Sequence, residues 1–356
     1  MLNLRVNYPS VKQEMDVFQA YTQSLAAPEK YALLQPPGYA PDEAATKVIC
    51  NWLQVQEEDI RQCSEIAAVP SANNALFCIL SVLRKTNTAI GAETFTFPGF
   101  RFCAAELGYQ VDAIACDEEG ILPVALQQYL ETSNSKLVYL QPTVHNPTTS
   151  VMSLQRRQEI IAVIKTFKDV YLLEDDAYRF LHADPPPSFL QLIPERTFHV
   201  YSFSKAFNPI LKAAYIVYPK GSLRGIDNII GFTASSACAL FIDFGIHLMQ
   251  GEQLKNIIKE KQRIALEWHA RVKELFQGLS YQMFPGSFHI WLKLEHGLTS
   301  SALTSYLHSQ DIDVPDGAAF AVNGDTEHVR IALGTAWHSD KMLPALTTIA
   351  AACKRC

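Results

Sequence analysis

Between residues 65 and 218 the chain alternates short apolar runs with segments of helical periodicity, and this alternation limits the fold more than any other feature. Apolar runs at 65–69, 88–91, 110–116, 136–140, 170–174, 197–202 and 213–218 have the length of strands. Helical patterns at 73–84, 99–107, 122–131 and 153–167 separate most of them. Strands that alternate with helices indicate βαβ units, so the fold class expected is α/β, a mostly parallel sheet flanked by helices. After Gly251 the pattern changes. One amphipathic helix at 252–277, about 40 Å long at 1.5 Å per residue, precedes strands at 287–294 and 328–333 and helices at 299–310 and 340–352. Few strands with helices suggest a smaller α+β domain. The division expected is an arm and helix joining the small domain (1–40), a large domain (41–250) and the small C-terminal domain (251–356). Within the first part, the arm leads to a helix at 11–25 and a Pro/Gly loop at 31–41; a helix at 42–53 opens the large domain.

The 356 residues are 48% hydrophobic and 19% charged, enough for a large core and unlike a disordered chain. A net charge of −6 without any long Lys/Arg run gives no footprint for nucleic acid or an anionic membrane. The N-terminus lacks the apolar region of a signal peptide. The most apolar stretch, 233–249, contains Asp243 and His247 and is short for a bilayer span, so a cytoplasmic protein is expected. Eight cysteines scattered through apolar segments read as reduced core residues. Cys353 and Cys356 have Cys-x-x-Cys spacing but no second ligand pair, and no His pair has metal-binding spacing, so no metal is expected.

In open α/β sheets ligands sit beyond the carboxyl ends of the strands. Residues 200–219 place Lys205 between two apolar runs, with Ser202 and Ser204 before it and Lys212 after it. A carbonyl cofactor that carries a phosphate needs such a set, the amine for a Schiff base and the hydroxyls and second cation for the anion. A solvated lysine at a strand end is the alternative. In 170–178, carboxylates that include Asp175 end a buried run and Tyr178 follows. A buried carboxylate needs a cationic partner, for which a protonated pyridine nitrogen would serve; two acids capping a helix is the other reading. Arg330 lies within an apolar strand, where its planar fork suits a substrate carboxylate or a structural salt bridge.

The Ser202-Phe-Ser204-Lys205 stretch with Lys212 resembles the Ser-x-Ser-Lys-(six residues)-Arg-x-Gly-Tyr signature of class I/II aminotransferases, pyridoxal 5'-phosphate enzymes of fold type I. Lys212 stands where that family usually has Arg, and Ala214 where it has Gly. Four further stretches are similar to family motifs in the same order, and Arg330 lies in a fifth. Ala67 to Ala75 resembles the phosphate loop, with Ser71 for Gly and Ala72 for Ser, so Ala72 and Asn73 would contribute backbone amides at a helix start. Glu93 to Pro98 puts Phe97 where an aromatic ring covers the cofactor. Asn146-Pro-Thr-Thr149 resembles Asn-Pro-Thr-Gly, so Asn146 would donate to the ring hydroxyl; Thr149 replaces a glycine. Asp175 and Tyr178 match Asp-x-x-Tyr, for the ring nitrogen and hydroxyl, and Arg330 matches the carboxylate-binding arginine. Tyr31 is the candidate for a tyrosine lent to a neighbouring subunit.

The resemblance implies an aminotransferase, a homodimer, moving an amino group between an α-amino acid and a 2-oxo acid, with Lys205 carrying the cofactor. A lyase, decarboxylase or cyclase on the same fold remains open, because these motifs describe the cofactor cradle. A non-catalytic amino-acid sensor is the other alternative. The Ser-Phe-Ser-Lys spacing is also similar to aminotransferase-like domains of bacterial transcriptional regulators, which carry an upstream winged helix for which residues 3–31 leave no room.

Overall fold

The structure is a computed structural model that describes residues 1–35, 38–325 and 327–354. Its centre is a sheet of seven strands: β1 (Ser64–Val69), β2 (Ala89–Glu93), β3 (Gln110–Ile114), β4 (Leu137–Leu140), β5 (Tyr171–Asp175), β6 (Thr197–Ser202) and β7 (Ala214–Pro219). Across the sheet the order is β1-β7-β6-β5-β4-β2-β3. The pairs from β6 to β3 are parallel, and only β7 runs against its neighbours, with Ala214 opposite both Ser202 and Val69. Every residue of β4, β6 and β7 is buried, as a sheet covered on both faces requires. Each strand lies within two residues of its expected limits; the sixth and seventh apolar runs, 197–202 and 213–218, correspond to Thr197–Ser202 and Ala214–Pro219.

Helices Ala72–Leu83, Pro98–Glu106, Pro123–Thr132 and Leu154–Thr166 follow the expected patterns. The first is capped by Ser71, whose hydroxyl accepts from the Asn74 amide. The helix Glu43–Leu53 is capped in the same way by Asp42. Helices Glu57–Cys63, Ile226–Ala234 and Ala239–Gln250 add to the pattern. The last two carry the apolar stretch around Asp243, whose carboxylate accepts from Tyr21 Oη at 2.5 Å. Among the described residues no single helix is long and apolar enough to cross a membrane.

The long helix runs over Gln253–Leu275, slightly shorter than expected. Its first half packs into the core beneath the large sheet through Leu254, Ile257 and Ile264, and Val272 enters a second core. That second core lies against an antiparallel sheet of Tyr281–Gln282, β8 (His289–Lys293) and β9 (His328–Ala332). Leu2–Asn3 pairs in parallel with Ile312–Asp313, so the arm joins this smaller unit. The following helix, Gln13–Ser24, pairs its Glu14 with Lys261 of the long helix and packs its Tyr21 on Phe244 in the core beneath the large sheet. The expected loop at 31–41 also differs, because Tyr31 and Ala32 end a helix, Ala27–Ala32. Pro36 and Pro37 of that loop, and Cys356 of the terminal cysteine pair, lie outside the described residues. The six cysteines from Cys50 to Cys238 carry no disulfide.

The loop after β4 is held from below by Arg157, which is fully buried. Its guanidinium donates to the carbonyls of Met152, Pro187 and Pro142 and to Thr143 Oγ1, at 2.9–3.0 Å. The acceptors at Met152, Pro142 and Thr143 are buried, so removing the donors leaves several buried acceptors unpaired. Arg157→Met, which keeps the stem, is expected to lower stability by about 3 kcal/mol, and Arg157→Lys to recover less than half of that because one ammonium cannot span the fork. Urea unfolding midpoints of the three proteins check this.

Candidate active site

The sheet topology determines where the functional residues meet. Loops that leave the carboxyl ends of β1, β2, β4, β5 and β6 emerge at one edge. Because β7 runs the opposite way, its start lies at that edge too, which brings Lys212 beside Ser202 and Ser71. A cavity of about 430 Å³ opens there. It is lined by Ala72, Asn73, Phe97, Asn146, Asp175, Tyr178, Ser202, Ser204, Lys205, Lys212 and Arg330. Every site residue expected from the sequence is thus brought together except Tyr31. Tyr31 is 69% exposed on the helix Ala27–Ala32 and does not line the cavity of its own chain. A cleft of about 460 Å³ shares the turn at 145–146 as a wall, with His145 facing it, and holds none of the expected residues.

Lys205 sits in a four-residue helix, Phe203–Ala206, between the two apolar runs. Ser202 caps that helix by accepting from the Ser204 amide at 3.2 Å, and the two hydroxyls lie 2.9 Å apart. The Lys205 amine donates to the Asn7 carbonyl at 2.6 Å and stands 4.9 Å from the centre of the Tyr8 ring. The residue shows some surface to the cavity, yet protein surrounds the amine. Burial pushes its pKa down to about 7, repulsion from Arg330 and Lys261 adds to the fall, and Asp175 opposes it.

Asp175 ends β5 on the cavity wall. Its Oδ2 accepts from Tyr139 Oη at 2.7 Å and Gln141 Nε2 at 3.1 Å, whereas Oδ1 is buried without a hydrogen-bond partner. Burial raises its pKa, and the two hydrogen bonds work against that rise. One carboxylate oxygen is therefore held by two donors, and the other has no hydrogen-bond partner. Tyr178 is also buried, with its hydroxyl accepting from Asn7 Nδ2 at 3.1 Å.

Asn146 lies in a tight turn. Its amide donates to Gln141 Oε1 at 3.3 Å and its Oδ1 accepts from Arg330 at 2.9 Å. Thr149, at φ +62°, keeps a left-handed conformation that ordinarily favours glycine, so the loop path survives the substitution at the cost of backbone strain. Arg330 is buried on β9, with its guanidinium 4.8 Å from the centre of the Phe320 ring. One terminal nitrogen reaches Asn146, the other the Arg5 carbonyl, and Nε has no partner. No carboxylate pairs with it among the described residues, and burial pushes its pKa down to about 10. The structural salt bridge considered for Arg330 is therefore not formed.

Sequence reasoning missed the arm's part in the cavity. Arg5, Asn7 and Tyr8 line the cavity and contact the expected residues, as do Gln141 and Phe320. The only signal was Tyr8-Pro9, which marks an extended segment and nothing about where it docks. Gln141, a polar residue at the end of a wholly buried strand, was the more legible of these.

The family model for aminotransferases of class I and II matches residues 1–349. Among curated relatives, YdeF of Bacillus subtilis, a transcriptional regulator of helix-turn-helix type, is 32% identical over 41% of this chain and 32% of its own. The chain thus spans about a third of that relative's length. The 2-aminoadipate transaminase of Thermus thermophilus is 24% identical over 92% of this chain and 83% of its own. Among solved structures, the kynurenine aminotransferase of Pyrococcus horikoshii superimposes with a TM-score of 0.83 at 19% identity, covering 100% of this chain and 91% of that one. A model match over nearly the whole length, joined to a cavity edge built by the same ordered motifs, establishes that the chain belongs to the class I and II aminotransferase family.

Proposed function

We propose that this chain is a pyridoxal 5'-phosphate-dependent aminotransferase that moves an amino group between an α-amino acid and a 2-oxo acid. The observation that carries the reading is the unpartnered Oδ1 of buried Asp175, in the same cavity as a buried lysine amine. The cradle fits the cofactor: a carboxylate oxygen awaiting a ring N–H, a reactive amine, and an anion-binding group of a helix start, two serines and a lysine.

Pyridoxal phosphate, when bound, supplies an electron sink for the Cα–H electrons of the substrate. The chain supplies the rest. Asp175 would keep a pyridine nitrogen protonated, and Asn146 and Tyr178 would meet the ring hydroxyl. Phe97 would cover one ring face. Ala72 and Asn73 through their amides, Ser202 and Ser204 through hydroxyls, and Lys212 through its charge would hold the phosphate. Arg330, with an unused Nε and no acid opposite, would take the substrate carboxylate. Lys205 would bind the cofactor covalently, then, released by the incoming amine, carry a proton away from Cα and return it. A homodimer would cover Ile210 and Phe232, which are 72% and 91% exposed.

A second reading, a cofactor-binding domain that senses an amino acid without turnover, is favoured by the match to YdeF. A single-turnover screen of amino acids against the loaded protein separates the two: conversion to the amine form of the cofactor supports transamination, and binding without conversion supports sensing.

Borohydride should fix the cofactor on Lys205 in the parent, and a Lys205→Ala protein labelled to the same yield would remove the assignment. The sign of its pH dependence follows from the depressed pKa. Only the neutral amine attacks, so the rate of covalent capture should rise through about pH 7 and level off above it. Arg330→Ala should raise half-saturating concentrations of amino and oxo acid alike by about thirtyfold, the loss of roughly 2 kcal/mol of charge-assisted bonding, with cofactor content unchanged. Lys212→Ala should weaken cofactor retention about tenfold, whereas Lys212→Arg should bind at least as well as the parent. Equilibrium dialysis of the apo proteins checks the last pair.

A further inference from the structure

Lys261 is a fully buried lysine in the middle of the long helix, with the apolar Ile257, Ile258, Ile264 and Ala265 as its buried neighbours on that face. Burying an ammonium is costly unless each of its donors is used. Here all three are. Lys261 Nζ pairs with Glu14 Oε1 at 2.8 Å, donates to the Phe207 carbonyl, and reaches the Lys205 carbonyl at 3.4 Å. Those two carbonyls close the short helix Phe203–Ala206, whose last carbonyls have no partner within the helix itself. A cation at that end satisfies them and complements the backbone dipoles.

Glu14 extends the connection. Its Oε2 accepts from Asn208 Nδ2 at 2.5 Å, and its Oε1 accepts from the Val11 amide at 3.3 Å. A few residues earlier, Asn7 and Tyr8 contact the Lys205 amine itself. The N-terminal segment therefore grips Lys205 twice, at the amine directly and at the backbone through Lys261.

We propose that Lys261, held by Glu14, is a positioning residue for Lys205: it fixes the turn that aims the Lys205 amine into the cavity. The proposal rests on the reading of Lys205 as the cofactor-bearing lysine. Packing alone does not account for the pair, because an apolar pair of similar volume would fill the space without desolvating two charges.

The decisive variant is Glu14→Gln/Lys261→Met, which leaves no unpaired buried charge and removes the donors to both carbonyls. Two quantities are measured on the apo proteins. One is the rate at which pyridoxal phosphate becomes borohydride-fixable on Lys205; the other is the dissociation constant of a pyridoxal phosphate analogue lacking the aldehyde. Positioning predicts capture slowed about tenfold, as a displaced reacting atom would cause, with analogue affinity within about twofold of the parent. Lys261→Arg, which retains cation and donors, should capture within about threefold of the parent and so covers the case in which the double variant does not fold. Parental capture by the double variant would overturn the proposal. So would capture by a folded Lys261→Arg protein slowed about tenfold or more. Absence of any adduct in the parent would remove the Lys205 reading and this proposal together, which distinguishes the two failures.

Discussion

Strand β7 hydrogen-bonds along both its edges against the direction of the rest of the sheet, and the site depends on that pairing. With Ala214 opposite both Ser202 and Val69, the segment that enters β7 lies between the loops that leave β6 and β1. A parallel seventh strand would carry Lys212 to the far edge, away from the two serines and the helix start at Ala72. The reversed strand also makes the return from Lys205 to Ala214 short, with a four-residue helix and a turn in place of a crossover helix. Lys205 is consequently mounted on a tight, heavily bonded segment and not on a free loop.

Charge within this edge is arranged under desolvation. Arg5, Lys205, Lys212 and Arg330 line the cavity and Lys261 stands behind it, against the buried carboxylates of Asp175 and Glu14. Burial, with repulsion from the neighbouring cations added, depresses the lysine amine toward neutrality, and the arginine is left without an acid. Both effects suit the anionic partners proposed for this site, a phosphate and a substrate carboxylate. Asp175 works in the opposite sense, with one oxygen held by Tyr139 and Gln141 and the other waiting for a cationic donor. The stacked ring pair of Phe100 and Tyr139, 3.7 Å apart, holds the tyrosine that orients it.

The seven-stranded core was legible because buried strands must be short and apolar, which all seven runs are, and helical patterns separate the first five of them. Lys205, Asp175 and Asn146 were legible because strand ends are where such folds bind ligands, and each carries a residue type with little reason to be there otherwise. Tyr31, read as a residue lent to a neighbouring subunit, ends the helix Ala27–Ala32, which has Pro28 and Glu29 at its start, and its side chain is exposed on its own chain. Helices Ile226–Ala234 and Ala239–Gln250 are apolar around much of their circumference, so period alone could not mark them as two elements. That the arm lines the cavity was illegible because its place depends on contacts across more than 300 residues of sequence, such as Tyr8 with Thr335 and Arg5 with Asp313. Thr149 shows the converse, a position where the loop path persisted although the residue best suited to it was absent.

The central claim is that the free oxygen of Asp175 receives a protonated ring nitrogen. Nitrogen-15 magnetic resonance of the protein loaded with pyridoxal phosphate labelled at the ring nitrogen tests it most directly. The account predicts a protonated pyridine nitrogen in the parent at neutral pH and an unprotonated one in Asp175→Asn. An unprotonated nitrogen in the parent, or a signal indifferent to the substitution, would contradict it.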